Sequence, residues 1–382
     1  MTHPSPPRRT LLHGLLASAL LVSVPAAHAA AGRTVIEDIA VRTIAMRRPV
    51  RRLLLGDGAL AYVLPLLRPN APFQDVVGWG ENFRNADLDG YRAYLRRFPE
   101  IGSIPAFPGG TPETLSAEQA IALAPDAVLL NLSSRAAAAS SGLETHLARA
   151  GIPVIYLDFR TPLSASTARS VEIVGELLGC EARAHEFLAF RDTQIRRVTE
   201  PVRTIASRPL VMLERAAGLY GDCCLSYGHG NFGALVDAAG GENLGDRFLQ
   251  RRFGALHPEQ VVASGPDVVI VTGANWSRYS PAGDWVKLGP GANLAESRNR
   301  LRRLMTRPGY RTLRAVAAGR VYAIWHAFYD NPYDFVALQC LARWLHPERF
   351  ADLDPDATFR ELHERFLPVP YQPGYWVGLG AA

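Results

Sequence analysis

The hydrophobic and polar positions along the chain form short apolar runs separated by helix-like stretches. Four-residue apolar runs at 127–130 and 268–271 each follow a short helix-like stretch and a Pro-Asp pair. Apolar runs of this length between turn signals are typical of strands buried on both faces of a parallel sheet. The pattern therefore predicts an α/β fold in which helices cover parallel strands.

One helix–turn–strand unit occurs twice. Residues 117–130 and 258–271 share a Glu-Gln pair, a Pro-Asp pair and four apolar residues at the same spacing. In each copy we expect a helix from the Glu-Gln pair to the proline, because proline cannot continue a helix and disfavours helical backbone in the residue before it. The duplication predicts two similar α/β lobes.

Other segments complete the two lobes and the connection between them. Residues 52–55, 154–157 and 210–213 are further candidate strands, and residues 164–198 show helical periodicity without proline. A helix of that length extends on the order of 50 Å, and Gly179 is a candidate interruption. We expect an N-terminal lobe over 33–163, a linking helix over 164–200, a C-terminal lobe over 201–346 and a tail over 347–382 that packs on the lobes.

The N-terminal segment has the pattern of a signal peptide. Residues 1–29 contain no acidic residue, Arg8 and Arg9 precede an apolar run over 11–25, and residues 27–29 form a small-x-small cleavage site. The paired arginines also fit a twin-arginine signal, so export by Sec or by Tat stays open. Since the apolar run is too short to span a bilayer as a mature helix, we expect an exported protein without a membrane span.

Charge and cysteine usage narrow the class of protein. The formal charge of +5 includes the two arginines of the signal, which leaves +5 − 2 = +3, and Lys287 is the only lysine. Without basic runs interleaved with aromatic residues, nucleic acid is not an expected partner. Cys180 and Cys340 are predicted to be single buried residues. The adjacent Cys223 and Cys224 leave three alternatives open, namely a vicinal disulfide, a cleft lining or a reduced pair.

Taken in order, these motifs resemble the periplasmic binding proteins for iron chelates and cobalamin, and the tail resembles the iron-transport branch. The resemblance covers nearly the whole chain after the signal. The segments that carry it are 116–119 with 125–126, 151–154, 239–243, 259–260 with 266–267, 313–322, 325–329 and 344–348. It implies two Rossmann-like lobes joined by one long helix, with a ligand cleft between them where strand ends converge.

The resemblance also implies partners. The chain is expected to be a monomer that delivers a small-molecule metal chelate to an ABC permease dimer with its ATPase, and no resident cofactor is expected. One surface glutamate on each lobe pairs with permease arginines, and the matching positions here are Glu118 and Glu259. The alternative is that both glutamates only support helix N-termini.

Candidate ligand contacts follow from the chemistry of a ferric chelate, which is bulky, often anionic and partly aromatic. Arginines suit its oxygens and aromatic rings suit its organic shell. Loops after four predicted strands supply such residues, and the Trp-x-Arg-Tyr loop at 276–279 is the strongest group because its tryptophan is expected to have no core to fill. The predicted contacts are Trp79, Arg84, Arg135, Tyr227, Trp276, Arg278, Tyr279, Trp325, His326 and Tyr329.

Two local features allow other interpretations. His326 is a candidate metal ligand or hydrogen-bond donor, or equally a loop histidine with a structural partner, and no histidine-rich loop suggests a bare metal site. Residues 228–233 match Gly-x-Gly-x-x-Gly, but the residues before them read as a turn and no acidic ribose partner follows, so dinucleotide binding is disfavoured. We expect this glycine-rich loop to lead into a helix near Phe232.

The resulting hypothesis is a periplasmic substrate-binding component of an importer for a ferric siderophore or related metal chelate. Haem, cobalamin, a nickel chelate and molybdate are the alternative ligands within the same fold. An exported hydrolase is the alternative of another class, and it is disfavoured because the sequence contains neither a Gly-x-Ser-x-Gly nor a His-Glu-x-x-His motif.

Overall fold

The computed structural model describes residues 1–3, 33–47, 49–108, 114–220 and 223–380. The chain divides after Gly32 into two units, and the architecture below is that of the second unit. Residues 4–29 of the predicted signal peptide lie outside the described residues, so the cleavage site and the export route stay predictions. Within the described ranges, no helix is both long enough and apolar enough to cross a membrane.

The N-terminal lobe is a parallel sheet with helices packed on it. Its strand order is β5-β4-β3-β6-β7, and the antiparallel hairpin β1–β2 precedes it. Leu53 and Leu55 lie in one hydrophobic cluster and Leu54 in another, which shows that β3 is covered on both faces. The elements are β1 (Arg33–Glu37), β2 (Thr43–Arg47), β3 (Leu53–Leu55), α1 (Val63–Leu67), β4 (Val76–Gly80), α2 (Asn82–Ala86), α3 (Leu88–Arg97), β5 (Ala106–Phe107), α4 (Ala117–Ala122), β6 (Ala127–Asn131), α5 (Arg135–Ser140), α6 (Leu143–Arg149) and β7 (Val154–Leu157).

Two successive helices link the lobes. The segment predicted as one helix contains α7 (Ala165–Leu178) and α8 (Glu181–Val202). Gly179 ends α7 with left-handed backbone at φ 67°, a conformation that glycine adopts without steric cost. The linker is therefore interrupted at the glycine that the sequence singled out, and α8 alone extends about 33 Å.

The C-terminal lobe is built on a mixed sheet. Its strand order is β11-β9-β8-β12-β13-β14, and β10 pairs with β8. β14 pairs antiparallel with β13, so the tail forms an edge of this sheet. The elements are β8 (Leu210–Glu214), β9 (Leu225–Tyr227), α9 (Asn231–Ala238), β10 (Glu242–Asn243), β11 (Phe253–Ala255), α10 (Pro258–Ser264), β12 (Val268–Gly273), α11 (Leu294–Leu304), α12 (Arg314–Ala317), β13 (Val321–Trp325), α13 (Asp334–Leu345), α14 (Pro355–Phe366) and β14 (Trp376–Gly378).

The duplicated unit has the same structure in both lobes. Helices α4 and α10 end before the Pro-Asp pair, and strands β6 and β12 follow it. In each copy the aspartate accepts a hydrogen bond from the backbone at the start of the first strand of its lobe's main sheet, β3 or β8. Asp126 Oδ2 lies 3.0 Å from Arg52 N, and Asp267 Oδ2 lies 2.9 Å from Leu210 N. The Pro-Asp pair thus ends the helix and also ties the following strand to its neighbour.

The glycine-rich run leads into a helix as predicted, since Gly230 is the residue before α9. The expectation that a turn precedes this run is wrong, because β9 comes directly before it. β9 nevertheless runs antiparallel to β8, so the arrangement is not the parallel strand–helix–strand unit of a dinucleotide site. A side chain at Gly233 would meet the backbone oxygen of Gly228 at 2.5 Å, which accounts for that glycine by packing.

Two cysteines form a disulfide and two are free thiols. Cys223 and Cys224 are joined as a vicinal disulfide, one of the alternatives that the sequence left open. Cys340 is a free buried thiol on α13, as predicted, whereas the free thiol of Cys180 is half-buried just before α8.

Candidate ligand-binding cleft

Loops that follow the strand ends carry the polar contacts between the two lobes. Arg278, after β12, donates from Nε to Oδ1 of Asn85 on α2 at 2.7 Å. Asn275, on the same loop, donates from Nδ2 to Oδ1 of Asp89 on α3 at 2.9 Å. These contacts confirm that the carboxyl ends of the two sheets meet, which is where open α/β sheets bind ligands.

An ion triad joins the lobes at the base of this cleft. Arg160, after β7, lies with Nη2 2.7 Å from Oδ2 of Asp330, after β13, and 2.8 Å from Oδ2 of Asp57, after β3. Its Nη1 also donates to Ser133 Oγ at 2.9 Å. Both aspartate side chains are buried. Burial raises the pKa of Asp330 to about 6, an effect that Arg160 opposes and the Asp57 charge increases.

Aromatic rings surround a buried histidine on the C-terminal lobe. His326 Nδ1 lies 2.8 Å from Thr272 Oγ1, and its ring centroid is 5.2 Å from that of Trp276 and 4.7 Å from that of Tyr329. Burial lowers the pKa of His326 well below its ordinary value, and the charge of Arg215 acts in the same direction. His326 is therefore a neutral side chain at pH 7, which removes it as a charged anchor for an anion.

A guanidinium group and a phenol adjoin this aromatic cluster. Arg215, directly after β8, lies 4.9 Å from the ring centroid of Phe253, and it forms no ion pair among the described residues. The hydroxyl of Tyr227 is buried and, in the part of the chain that the structure describes, lacks a hydrogen-bond partner. Burial raises the pKa of Tyr227, and the nearby Arg215 opposes that rise. The pair thus places a positive charge beside a buried phenol.

The rim of the cleft is exposed and partly aromatic. Tyr279 and Tyr220 of the C-terminal lobe are 52% and 62% exposed. Burial of its inner part raises the pKa of Tyr279, and the charges of Tyr220, Glu81 and Asp57 add to the rise. Tyr279 therefore faces acidic residues of the N-terminal lobe. Arg84, on that lobe, pairs with Glu81 at 3.3 Å.

All three tryptophans that were predicted as ligand contacts are buried. Trp79 is 3% exposed, with its ring centroid 5.6 Å from those of Phe73 and of Phe83. Trp325 is 2% exposed and packs edge-on against Tyr375 at 5.2 Å between centroids. These positions give Trp79 and Trp325 a packing role in place of the predicted ligand contact.

Trp276 corrects a specific expectation. Its side chain is 2% exposed and packs against Trp285 at 6.3 Å between ring centroids, so the expectation that this loop has no core to fill is wrong. The loop carries its own small aromatic core, and its Arg278 and Tyr279 are exposed. Trp276 supports the cleft wall from behind.

Arg135 is separated from the other predicted contacts. It is exposed at the start of α5, and its charge acts on Tyr156 of β7, whose pKa burial and Glu144 raise. No described hydrogen bond or ion pair joins Arg135 to the cleft cluster.

The two repeated glutamates are exposed on equivalent helices. Glu118 lies in the first turn of α4 and Glu259 in the first turn of α10. Each helix ends beside the start of its following strand. Both glutamates therefore lie away from the carboxyl edge of the sheet, where the cleft residues lie. Ser116 Oγ donates to Glu118 Oε2 at 2.6 Å and lowers the pKa of Glu118. Glu118 is therefore a carboxylate at neutral pH.

Several central residues were missed by the sequence reasoning although a signal existed. Asp57, Arg160 and Arg215 each follow a run that was read as a buried strand. The rule that selected Arg278 and Tyr279 would have selected them as well. Within the described ranges, no group of three His, Cys, Asp or Glu side chains is arranged to hold a metal ion.

Comparisons with known proteins identify relatives of this chain. The sequence model of the family described as periplasmic binding protein matches residues 95–326. No curated protein matches the chain by sequence. Among solved structures, the TroA-like periplasmic binding protein FepB from Veillonella parvula is 27% identical with a TM-score of 0.81, over 91% of this chain and 99% of that one.

Two more distant structures share the fold. The molybdate-bound periplasmic binding protein MolA from Haemophilus influenzae is 16% identical with a TM-score of 0.66, over 89% of this chain and 99% of that one. A periplasmic heme binding protein from Pseudomonas aeruginosa is 18% identical with a TM-score of 0.55, over 78% of this chain and 94% of that one. At these identities the likeness concerns the fold alone.

Proposed function

The chain belongs to the family of periplasmic binding proteins, and we propose that it captures a ferric siderophore or a related metal chelate and delivers it to the permease of an ABC importer. It acts as a receptor and not as an enzyme. The signal segment sends it to the periplasm by the Sec or the Tat route.

The observation that carries the proposal is the position of Arg215. Its guanidinium group lies at the end of β8, beside the buried Tyr227 hydroxyl, and forms no ion pair among the described residues. The guanidinium group is half-buried, and charge-assisted hydrogen bonds from such a group to an anion are strong. An anionic ligand in the cleft would pair with it in this way.

The rim fits a large ligand with an organic shell. Tyr220 and Tyr279 are exposed beside the opening, and Arg278 stands between the lobes. Exposed rings can stack on the aromatic or amide surface of a chelate, while arginines bind its oxygens. A small oxyanion such as molybdate uses the guanidinium groups but leaves these rings without a role. The rim therefore favours a chelate over a free oxyanion, and haem, cobalamin and a nickel chelate are the alternatives.

The same proposal gives Glu118 and Glu259 the role of docking residues. Both carboxylates are exposed, and one stands on each lobe at equivalent positions of the duplicated unit. Exposed ion pairs contribute more to orientation and encounter rate than to affinity. Two such pairs with permease arginines fix the register of the loaded protein on the membrane complex.

An uptake experiment tests this function. Cells that lack their own copy of the gene carry either the full chain or its Glu118→Gln/Glu259→Gln variant, and they receive labelled ferric tris-catecholate, ferric tris-hydroxamate, haem, cobalamin, nickel–histidine or molybdate. We expect the full chain to restore uptake of one ferric chelate and the variant to lose it while the purified variant still binds that chelate. Uptake of none of the probes by cells with the full chain would contradict the proposed function.

A further inference from the structure

Two exposed aliphatic side chains stand at equivalent positions of the duplicated helices. Ile121 on α4 is 37% exposed and Val262 on α10 is 41% exposed. Each follows the exposed glutamate of its helix by three residues. Single exposed aliphatic residues are common on protein surfaces and need no explanation. Here, however, an exposed aliphatic residue occupies the same position in both lobes, and that repetition does call for an explanation.

Helix geometry places each aliphatic residue beside its glutamate. Residues three apart lie on one face of a helix, about 5–6 Å apart at Cβ. The residues just before the aliphatic pair, Ala120 and Val261, are fully buried against their lobes. The outward face of each helix therefore carries a carboxylate and an aliphatic side chain next to each other, once on each lobe.

We propose that Ile121 and Val262 are apolar anchors of the permease-docking surface, each seated beside its glutamate. The inference rests on the proposed function and adds the apolar part of the interface. The partner it fits is a membrane complex with two equivalent halves, each of which presents a cationic side chain next to an apolar socket. A closed dimer offers the same patch twice, which is what a duplicated patch on two lobes requires.

The two parts of each patch contribute differently. The carboxylates, Glu118 and Glu259, remain hydrated until contact and mainly orient the approach. The aliphatic groups lose contact with water when the complex forms, and removal of apolar surface from water is the main favourable term in association. Truncation of an anchor should therefore weaken the complex, while the orientation set by the carboxylates persists.

The test uses the full chain in cells that lack their own copy of the gene. The Ile121→Ala/Val262→Ala variant shortens both anchors, and Val35→Ala/Val41→Ala is the matched control, since Val35 and Val41 are also exposed aliphatic residues. The probes are labelled ferric tris-catecholate, ferric tris-hydroxamate, haem, cobalamin, nickel–histidine and molybdate, with the level of each variant checked by immunoblot. A second variant, Ile121→Asp/Val262→Asp, places charge in both proposed sockets.

We expect uptake to fall about tenfold in the alanine variant and further in the aspartate variant. The purified variants should bind the chelate as tightly as the unaltered chain, and the valine control should show unaltered uptake. Unaltered uptake in both anchor variants, together with loss of uptake in Glu118→Gln/Glu259→Gln, would overturn the anchors and leave the proposed function standing. No uptake by the unaltered chain, for any probe, would overturn the proposed function itself.

Discussion

Arg160 and Asp330 form a bidentate ion pair across the two lobes. Nε of Arg160 lies 2.9 Å from Oδ1 of Asp330, and Nη2 lies 2.7 Å from Oδ2. The two residues belong to loops after β7 and after β13, so the pair closes the base of the cleft from both sides. Asp57 accepts from the same Nη2 at 2.8 Å. One guanidinium group therefore joins acidic residues of both lobes.

Replacement of this arginine should destabilise the protein strongly. In Arg160→Met, Asp57 and Asp330 remain buried side by side without a counter-charge, and broken buried pairs cost about 3–5 kcal/mol. Urea unfolding at pH 7 should show a loss of at least about 3 kcal/mol for this reason. The matched control is Arg196→Met, which breaks an exposed pair with Asp192 and should cost less than about 1 kcal/mol. Equal losses in the two variants would contradict the role of the triad.

Because of Asp87, the free energy of unfolding should decrease as the pH rises. Its carboxyl group is buried, accepts from the Tyr62 hydroxyl at 2.6 Å and from Gly90 N at 3.2 Å, and burial raises its pKa to about 6. In the unfolded chain an aspartate has a pKa of about 3.9. Between these values the folded carboxyl keeps a proton that the unfolded one has lost. The contribution of this proton to the free energy of unfolding is thus complete below about pH 4 and is lost as the pH rises through about 6.

The variant Asp87→Asn isolates this effect, because its amide stays neutral at every pH. We expect the free energy of unfolding of the unaltered chain, minus that of Asp87→Asn, to decrease by about 2 kcal/mol from pH 4 to pH 7. Urea titrations at four pH values measure the difference, and Asp192→Asn at an exposed carboxylate on α8 is the control. A difference that is constant or rises with pH would show that burial does not raise the pKa of Asp87.

Arg215 should determine the affinity for an anionic ligand. Arg215→Gln removes the guanidinium beside Tyr227 and keeps a polar side chain, so affinity for an anionic ferric chelate should fall about tenfold to a hundredfold. Because the interaction is electrostatic, the loss should be smaller at high salt. Arg302→Gln, at an exposed arginine of α11, is the matched control and should bind as the unaltered chain does. Equal affinities for Arg215→Gln and the control would remove Arg215 from the site.

The fold could be predicted because its signals are local. The duplicated unit is recognisable from a Glu-Gln pair, a Pro-Asp pair and an apolar run, and each of these acts within a few residues. Gly179 was recognisable as a break for the same reason. The ion pair between Arg160 and Asp330 was not predictable, because its partners are 170 residues apart and meet only through the packing of two lobes.

The position of the site could be predicted better than the identity of the residues that form it. Loops after the strands were the right place to look, and Arg278 and Tyr279 do lie there in exposed positions. Whether a tryptophan in such a loop faces the ligand or the core depends on neighbours from distant elements. Trp276 finds one in Trp285, and Trp325 finds one in Tyr375. Sequence alone cannot distinguish these outcomes, since an aromatic ring suits both environments.

The central claim is that the cleft binds a metal chelate and releases it unchanged. Isothermal titration of the purified mature chain with ferric tris-catecholate and ferric tris-hydroxamate, followed by mass spectrometry of the ligand recovered after denaturation, measures both parts of the claim. We predict one binding site per chain with a submicromolar Kd, the range of specific high-affinity binding at about −8 kcal/mol or better, and recovery of intact chelate. Binding of neither ferric chelate, or recovery of a cleaved ligand, would contradict the account.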